Sequence, residues 1–336
     1  MMGKTHYKLG VLWYVVFVVL PFIPVLPFLG NPSMLTIAGI AAAALGGLMP
    51  DMDSQHSQIN CINPATGLAN KAIDFVEDLV MAVTQLIFTV GLGALIIYNS
   101  KFLIRQLSSL HLPFSKYSTF IVYITAALLI LIGISNRRMV EEIPVIGNIY
   151  DIIRELVLTV SSILKRIIML LVYGGSGAFL VWYNFTHWHD GFIYIAGILL
   201  VGIAIFPHRT FLHSLEGLIM FSIVATYLAD KVGYTYLAGA FIIGYITHLY
   251  LSDLFTNSGV PLSILPKIAE KTGLHKLLRG NALYKAIYKV LNIRLRVPIM
   301  STGTNKGNSM ELGYVLGMTI LVGVIYMMFG GKLVLI

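Results

Sequence analysis

One cysteine, Cys61, serves 336 residues, so an intramolecular disulfide is excluded and packing alone must hold the fold. Charge is nearly as scarce. Asp, Glu, Lys and Arg make up 11% of the chain, against about 25% in a soluble domain. With 57% of residues hydrophobic and a mean hydropathy of +0.83, a water-soluble globular domain is excluded in favour of an integral membrane protein. The first apolar run has no small-residue cleavage site and follows His6, so it is expected to be a retained helix and not a signal peptide.

Long apolar runs are what the sequence has instead. They fall at roughly 9–29, 34–49, 79–98, 118–135, 167–184, 192–206, 215–229, 234–251 and 312–329. Set against about 20 residues per span, they predict an all-α, polytopic transmembrane helix bundle of about nine spans. Nine alternating spans put residues 1–8, 50–78, 136–166, 207–214 and 252–311 on one side of the membrane. Those stretches hold 18 of the 23 Lys and Arg residues. The positive-inside bias then places them, with the N-terminus, in the cytoplasm of a cell whose inner membrane the chain crosses repeatedly.

The middle of the chain reads as a duplication. DFVEDLVMAVTQLI (74–87) aligns without gaps to DIIRELVLTVSSIL (151–164), GLGALIIYN (91–99) is like GSGAFLVWYN (175–184), and FIVYITAALLI (120–130) is like FIYIAGILLVG (192–202). Each copy is an acidic amphipathic stretch followed by two membrane helices. Asn136, Arg137 and Arg138 stand where the outer copies carry histidines and aspartates. The expected organisation is two spans with an Asp-rich segment (1–70), the duplicated insertion (71–190), motif-bearing spans (191–265), a basic amphipathic segment (266–310) and a last span (311–336). The basic segment is expected to form one or two surface helices that gain roughly 1 kcal/mol per Lys or Arg near anionic lipid.

Ionisable groups near the hydrocarbon cost several kcal/mol unless paired or ligated. Four helix ends that the topology brings to one face carry such groups: His6; Asp51, Asp53 and His56; His208 and His213; His248 and Asp253. Pro50 biases the residue before it out of helical geometry, so the two carboxylates of PDMD sit at i and i+2 on a non-helical segment and can face one cation. His208 and His213 are too far round a helix to share a face, and a loop between them is expected. Neutral imidazoles with carboxylates suit a divalent transition metal, zinc first and manganese or iron next. Three or four protein ligands and an open position would acidify a bound water to serve as nucleophile near pH 7. His56 is the candidate general base, and Arg209 the candidate stabiliser of developing negative charge. Taken singly, His6 reads as an interfacial side chain and Asp51 as a turn cap; the convergence of four segments is what favours a site. His187 and His189 fall on the other face, and they, Cys61 and His275 receive no role.

Read together, the four segments resemble a known family. Thr5-His6 with Gly10, Gly46 with Pro50-Asp51, Asp53 and Ser57, His208-Arg209 with His213-Ser214, and Gly244-Tyr245-x-x-His248 followed by Asp253, Thr256 and Gly259-Val260-Pro261-Leu262 are similar to the YdjM-like membrane-bound, predicted metal-dependent hydrolases of bacteria. The resemblance covers about 1–60 and 190–265. It implies a metal held by His6, Asp51, Asp53, His208, His213, His248 and Asp253, and hydrolysis as the reaction class. The family's last His and Asp stand four apart, but His248 and Asp253 are five apart with Ser252 at the family's position. A helical bulge, or a lesser role for Asp253, is therefore expected.

The leading expectation is a hydrolase working at the cytoplasmic face of the membrane on a phospholipid or other anionic amphiphile. The alternative is a non-enzymatic metal- or lipid-binding multi-pass protein, a transporter or an assembly factor. A transporter would place polar groups near mid-membrane on broken helices, whereas these spans are almost free of charge. Membrane lipids and an amphiphilic or phosphoester substrate are the expected partners, and nucleic acid is not.

Overall fold

Runs of Leu, Ile, Val and Ala become helices here, and Pro, Gly and Asn mark their ends. A computed structural model describes residues 3–20, 35–54, 57–110, 112–135, 140–143, 145–301 and 304–329. Its helices begin with α1 (Gly3–Val19) and α2 (Ile37–Leu48), a 3-10 turn at Met49–Asp53, then α3 (Gln58–Ile62), α4 (Pro64–Leu86), α5 (Leu92–Tyr98), α6 (Ser100–Ser109) and α7 (Ser118–Ser135). They continue with α8 (Ile146–Met169), α9 (Gly175–Tyr183), α10 (Gly191–Ile205), α11 (Leu215–Lys231) and α12 (Tyr236–Tyr250). Last come α13 (Leu265–Lys271), α14 (Leu274–Leu278), α15 (Ala282–Leu291) and α16 (Asn305–Phe329). A two-residue antiparallel pairing joins β1 (Val260–Pro261) to β2 (Arg294–Leu295), with Pro261 opposite Arg294.

A helix coincides with every apolar run, but not all reach spanning length. Among the described residues five stretches are long and apolar enough to cross a membrane: Pro64–Tyr98, Ser115–Ile134, Ile146–Trp188, Tyr236–Phe255 and Asn305–Phe329. The helix α2 has 12 residues, about 18 Å at 1.5 Å per residue against a hydrocarbon core of about 30 Å. Shorter apolar helices cover Thr5–Val19 and Gly191–Ile205. The acidic amphipathic stretches are not separate pieces, because each is the first half of a continuous helix that runs on into an apolar span. The basic segment forms three short helices and β2, not one or two longer helices.

The two aligned stretches share a local device. Each passes through a π turn at the matching place, Ile87–Gly91 or Leu170–Gly174, and each of these is followed closely by a buried glycine. A Cβ on Gly93 would lie 2.9 Å from Ala126 O on α7, and one on Gly177 would lie 2.6 Å from Gly197 O on α10. Small residues at these places let helix backbones approach closely, as membrane helices require.

Two compact units are present, Met1–Gly67 with Ile168–Ile336, and Leu68–Ile167. The smaller unit buries Met81, Val140 and Tyr150 together and pairs Lys165 with Asp74 at 2.5 Å. In the larger unit, Phe211, Leu212, Phe221, Phe241, Tyr245 and Leu249 form one apolar cluster with residues of α10. Leu9 and Val16 of α1 pack with Met318 and Ile325 of α16 in another.

The crossing of α1, α2 and α12 positions the site. It is built on glycine: a Cβ on Gly46 would stand 2.0 Å from Phe241 O, and one on Gly244 2.0 Å from Ala43 O. A Cβ on Gly47 would stand 2.9 Å from His6 O, and one on Gly10 3.0 Å from Ala43 O. Contacts that short are incompatible with any larger residue unless the helices move apart. His6 lies one turn before Gly10, His248 one turn after Gly244, and Asp51 just beyond the Gly46-Gly47 pair. Three close helix contacts thus deliver one candidate ligand each to the same end of the unit.

Candidate metal centre

Local sequence explains how each segment presents its side chain. With Pro50 near its start, Met49–Asp53 winds as a 3-10 turn, tighter than an α-helix, where a non-helical segment was expected; it still presents Asp51 and Asp53. Downstream, Ser57 caps α3 by accepting from Asn60 N, and Ser214 caps α11 by accepting from Gly217 N. Both motif serines therefore act as helix N-caps. A loop separates His208 from His213, as their spacing requires. Within it Arg209 adopts φ 61°, a left-handed conformation that costs a non-glycine residue on the order of 1 kcal/mol, and Thr210 Oγ1 donates to Pro207 O. After Tyr250 the α12 helix stops instead of bulging. Ser252 turns the chain (φ −137°, ψ −71°) into a 3-10 turn starting at Asp253, and the five-residue spacing to His248 is thereby absorbed.

The outcome is a buried knot of imidazoles and carboxylates. Asp51 Oδ1 lies 3.8 Å from His208 Nε2, 3.7 Å from His213 Nε2 and 3.7 Å from His248 Nε2. Asp253 Oδ2 lies 3.3 Å from His213 Nε2 and 3.7 Å from His248 Nε2, while its Oδ1 is 3.8 Å from His6 Nε2. The His6 and His248 rings stack with centroids 3.8 Å apart. His6, His213, His248 and Asp253 are at most 1% exposed.

The ring nitrogens on the far side are tied back. His248 Nδ1 donates to Gly47 O at 2.7 Å, so its Nε2 carries the lone pair. His208 Nδ1 donates to Asp53 Oδ1 at 2.6 Å, and His6 Nδ1 pairs with Ser252 Oγ at 2.9 Å. Outer partners of this kind fix the tautomer and orientation of a metal-binding imidazole. Asp53, expected as a ligand, thus spends one oxygen on holding His208 and belongs to none of the clusters that can hold an ion. Those clusters are His6–Asp51–His248, Asp51–His208–His213 and His213–His248–Asp253, linked through shared residues. His56, and Asn136, Arg137 and Arg138, lie outside the described residues.

Electrostatics around the turn agree with this arrangement. Burial alone would raise the Asp51 carboxyl, but His248, His6 and His213 around it hold it below the ordinary carboxylate range. For His208, burial opposes the imidazolium, yet the hydrogen bond and charge of Asp53, with Asp51, raise its proton affinity. The Arg209 guanidinium stands 3.9 Å from Asp253 Oδ1.

Does the donor set fit a cation? Six buried His and Asp atoms of this knot have no hydrogen-bond partner among the described residues: Asp53 Oδ2, both ring nitrogens of His213, His248 Nε2 and both oxygens of Asp253. At about 1–3 kcal/mol each, leaving them unsatisfied would cost on the order of 10 kcal/mol, comparable to the whole stability of a domain. The inter-donor separations of 3.3–3.8 Å are close to the edge of about 3.4 Å in a tetrahedron with bonds near 2.1 Å. Neutral nitrogen and carboxylate oxygen at that spacing fit a divalent transition metal.

Several contributors escaped the sequence reading. Gly47 acts through its carbonyl and Ser252 through its hydroxyl, and Tyr245 OH donates to Leu212 O at 2.6 Å, bracing the residue before His213. Glu311, buried at the start of α16, accepts from Thr5 Oγ1 at 3.1 Å beside His6. A lone carboxylate entering an apolar span was the available signal for Glu311; nothing in sequence marks a carbonyl.

Comparison with known proteins gives one family. The family model described as YdjM inner membrane protein matches residues 81–331, about three quarters of the chain. That region contains His208, Arg209, His213, His248 and Asp253, while His6, Asp51 and Asp53 precede it. No curated protein and no solved structure matches the chain.

Proposed function

Because the chain belongs to the YdjM inner membrane protein family, we propose that it is a multi-pass, metal-dependent hydrolase whose site opens at the cytoplasmic face of the inner membrane. The observation that carries this reading is the set of buried His and Asp atoms left without protein partners around Asp51 and Asp253. His6, His208, His213, His248, Asp51 and Asp253 would hold the ion, zinc first and manganese or iron next. A divalent ion there supplies Lewis acidity for attack by water on an ester. Asp53, Gly47 and Ser252 keep the imidazoles in the tautomer that leaves Nε2 free to coordinate. Arg209, next to Asp253, is placed to stabilise negative charge on a phosphoryl or acyl oxygen.

An anionic amphiphile is the substrate class that suits the surroundings. An apolar cavity of about 270 Å³ lies between α2, α11 and α12. It is lined by Leu45, Phe221, Leu228 and Phe241 and by Met49, the first residue of the turn that carries Asp51. A hydrocarbon tail fits those walls, and a charged head would then sit among the polar groups. Descent of residues 74–99 and 151–184 from one duplicated unit accounts for their common π turn and glycine contact. An even number of spans before the last long loop would keep every motif segment on the basic, cytoplasmic side.

The reading is tested by assaying purified protein in uncharged detergent against mixed-micelle phospholipids and bis-nitrophenyl phosphate. Hydrolysis that chelator abolishes, that zinc or manganese restores and that Asp51→Ala removes is the expected result. Absence of turnover from the metal-loaded protein across both substrate types would overturn it.

A further inference from the structure

Next to the His/Asp knot lies a group of cations that the sequence did not single out. Arg294 lies in β2 and Arg296 directly follows it, with Leu295 between them opposite Val260. The strand is pinned against the turn that carries Asp253: Val297 N donates to Leu254 O at 2.7 Å and Ile299 N to Phe255 O at 3.1 Å. Arg294 also reaches the histidine loop. Its Nη1 donates to Ser258 O at 2.6 Å and its Nη2 to Arg209 O at 3.2 Å. Arg209 in turn stands 3.9 Å from Asp253 Oδ1. One network of backbone and guanidinium contacts therefore joins the basic segment to the candidate metal centre.

The positive charges in this network are only partly answered by acids: Arg209 has Asp253 at 3.9 Å, and Glu270 favours the charge on Lys267. Among the described residues Arg294, Arg296 and Lys267 make no ion pair; the nearby acid Glu216 is engaged by Ser263 Oγ and Ile264 N. Partial burial and then the like charges of Arg209 and Arg296 lower the proton affinity of Arg294, and burial and then Arg294 do the same to Lys267. Exposed cations grouped in this way attract an anion. A guanidinium has five donors, so the two carbonyls leave Arg294 with donors to spare. A phosphoryl group brings up to two negative charges against a carboxylate's one and matches the guanidinium fork.

We propose that Arg294 and Arg296, together with Arg209 and Lys267, form a phosphoryl-binding site at the edge of the His/Asp knot and fix the charge of the substrate. As a substrate subsite it rests on the hydrolase reading, but anion binding is measurable without turnover. The phosphoryl group belongs either to a lipid headgroup or to a soluble phosphate, and Arg294 and Arg296 act as specificity determinants in both cases.

The test is equilibrium binding to the full chain in dodecyl maltoside, with inorganic phosphate and dihexanoyl phosphatidic acid as separate probes and metal content measured in parallel. Arg294→Gln is expected to weaken both probes about tenfold or more, the size of one hydrogen bond to a charged group, with metal content unchanged. Arg296→Gln, whose guanidinium holds no hydrogen bond among the described residues, is expected to weaken them several-fold and guards against misfolding of the first variant. Equal affinity for the two probes would mean that the phosphoryl group suffices, and tighter phosphatidic acid would identify a lipid headgroup. Wild-type protein that binds neither probe, or folded variants that bind both as wild type does, would overturn the proposal while the metal data stand. A metal-free wild type would overturn the hydrolase reading and leave the phosphate comparison readable.

Discussion

The two compact units each hold buried charged side chains, and they answer them differently. In the smaller unit Lys165 pairs with Asp74, Gln85 Nε2 donates to Gly133 O at 2.8 Å, and Thr84 and Thr89 donate to carbonyls one turn back. In the larger unit His213 and Asp253 are fully enclosed with every side-chain donor and acceptor unpartnered. The first pattern is how a helix bundle closes itself. Protein alone leaves the second incomplete, and its donors converge where those of the first disperse. Burial of a charge, therefore, marks a site only when the protein does not answer it.

The sharpest way to break this comparison is to remove a ligand. His248→Ala deletes a convergent nitrogen and the anchor to Gly47 O, and bound metal should fall to background by elemental analysis while the protein still elutes as a folded species. Next in size is the packing that sets the geometry. Gly244→Ala puts a Cβ 2.0 Å from Ala43 O, a clash of the kind that costs about 1–3 kcal/mol. Metal affinity should drop at least tenfold although no ligand has changed; wild-type affinity in this variant would show that the helix crossing does not position the site. Asp53→Asn removes the charge that holds His208, and outer-partner losses of this type run at about 10–100-fold in affinity. A metal titration that returns the wild-type constant would make Asp53 incidental.

The control comes from the other unit and should have the smallest effect on metal. Asp74→Asn leaves the Lys165 ammonium, 6% exposed, without its counter-ion. Asp74 itself is half exposed, so water screens the pair, and the loss of stability is expected at about 1–2 kcal/mol, below the 3–5 kcal/mol of a fully buried pair. Thermal unfolding in detergent should report that loss with metal content unchanged. A fall in metal like that of His248→Ala would erase the distinction between the units.

Much of this was legible in the sequence because it is local. Apolar runs gave the helices, Pro50 gave the end before Asp51, and five-residue spacing demanded a loop before His213. Four segments of one chemistry on one side of an alternating topology were enough to gather the candidate ligands. The pairings were not legible. That Asp53 turns to His208, that His6 stacks on His248, and that β2 is laid against the Asp253 turn all depend on helices meeting at Gly10, Gly46, Gly47 and Gly244. Those glycines read only as permissive in one dimension. Asp253 is the clearest case, since its spacing argued for a lesser role until the backbone of Ser252 turned it back toward His213. Among the described residues five of the nine runs lie in helices long and apolar enough to span, because hydropathy measures apolarity and not length, and a 12-residue helix such as α2 can be wholly apolar.

The central claim is that the unpartnered atoms around Asp51 and Asp253 are answered by a metal ion. Elemental mass spectrometry on detergent-purified protein, with wild type beside an Asp51→Ala, His213→Ala double variant, tests it most directly. The account predicts one or two equivalents of zinc, manganese or iron in wild type and background levels in a double variant that remains folded. A wild type that stays empty after incubation with each metal would contradict it.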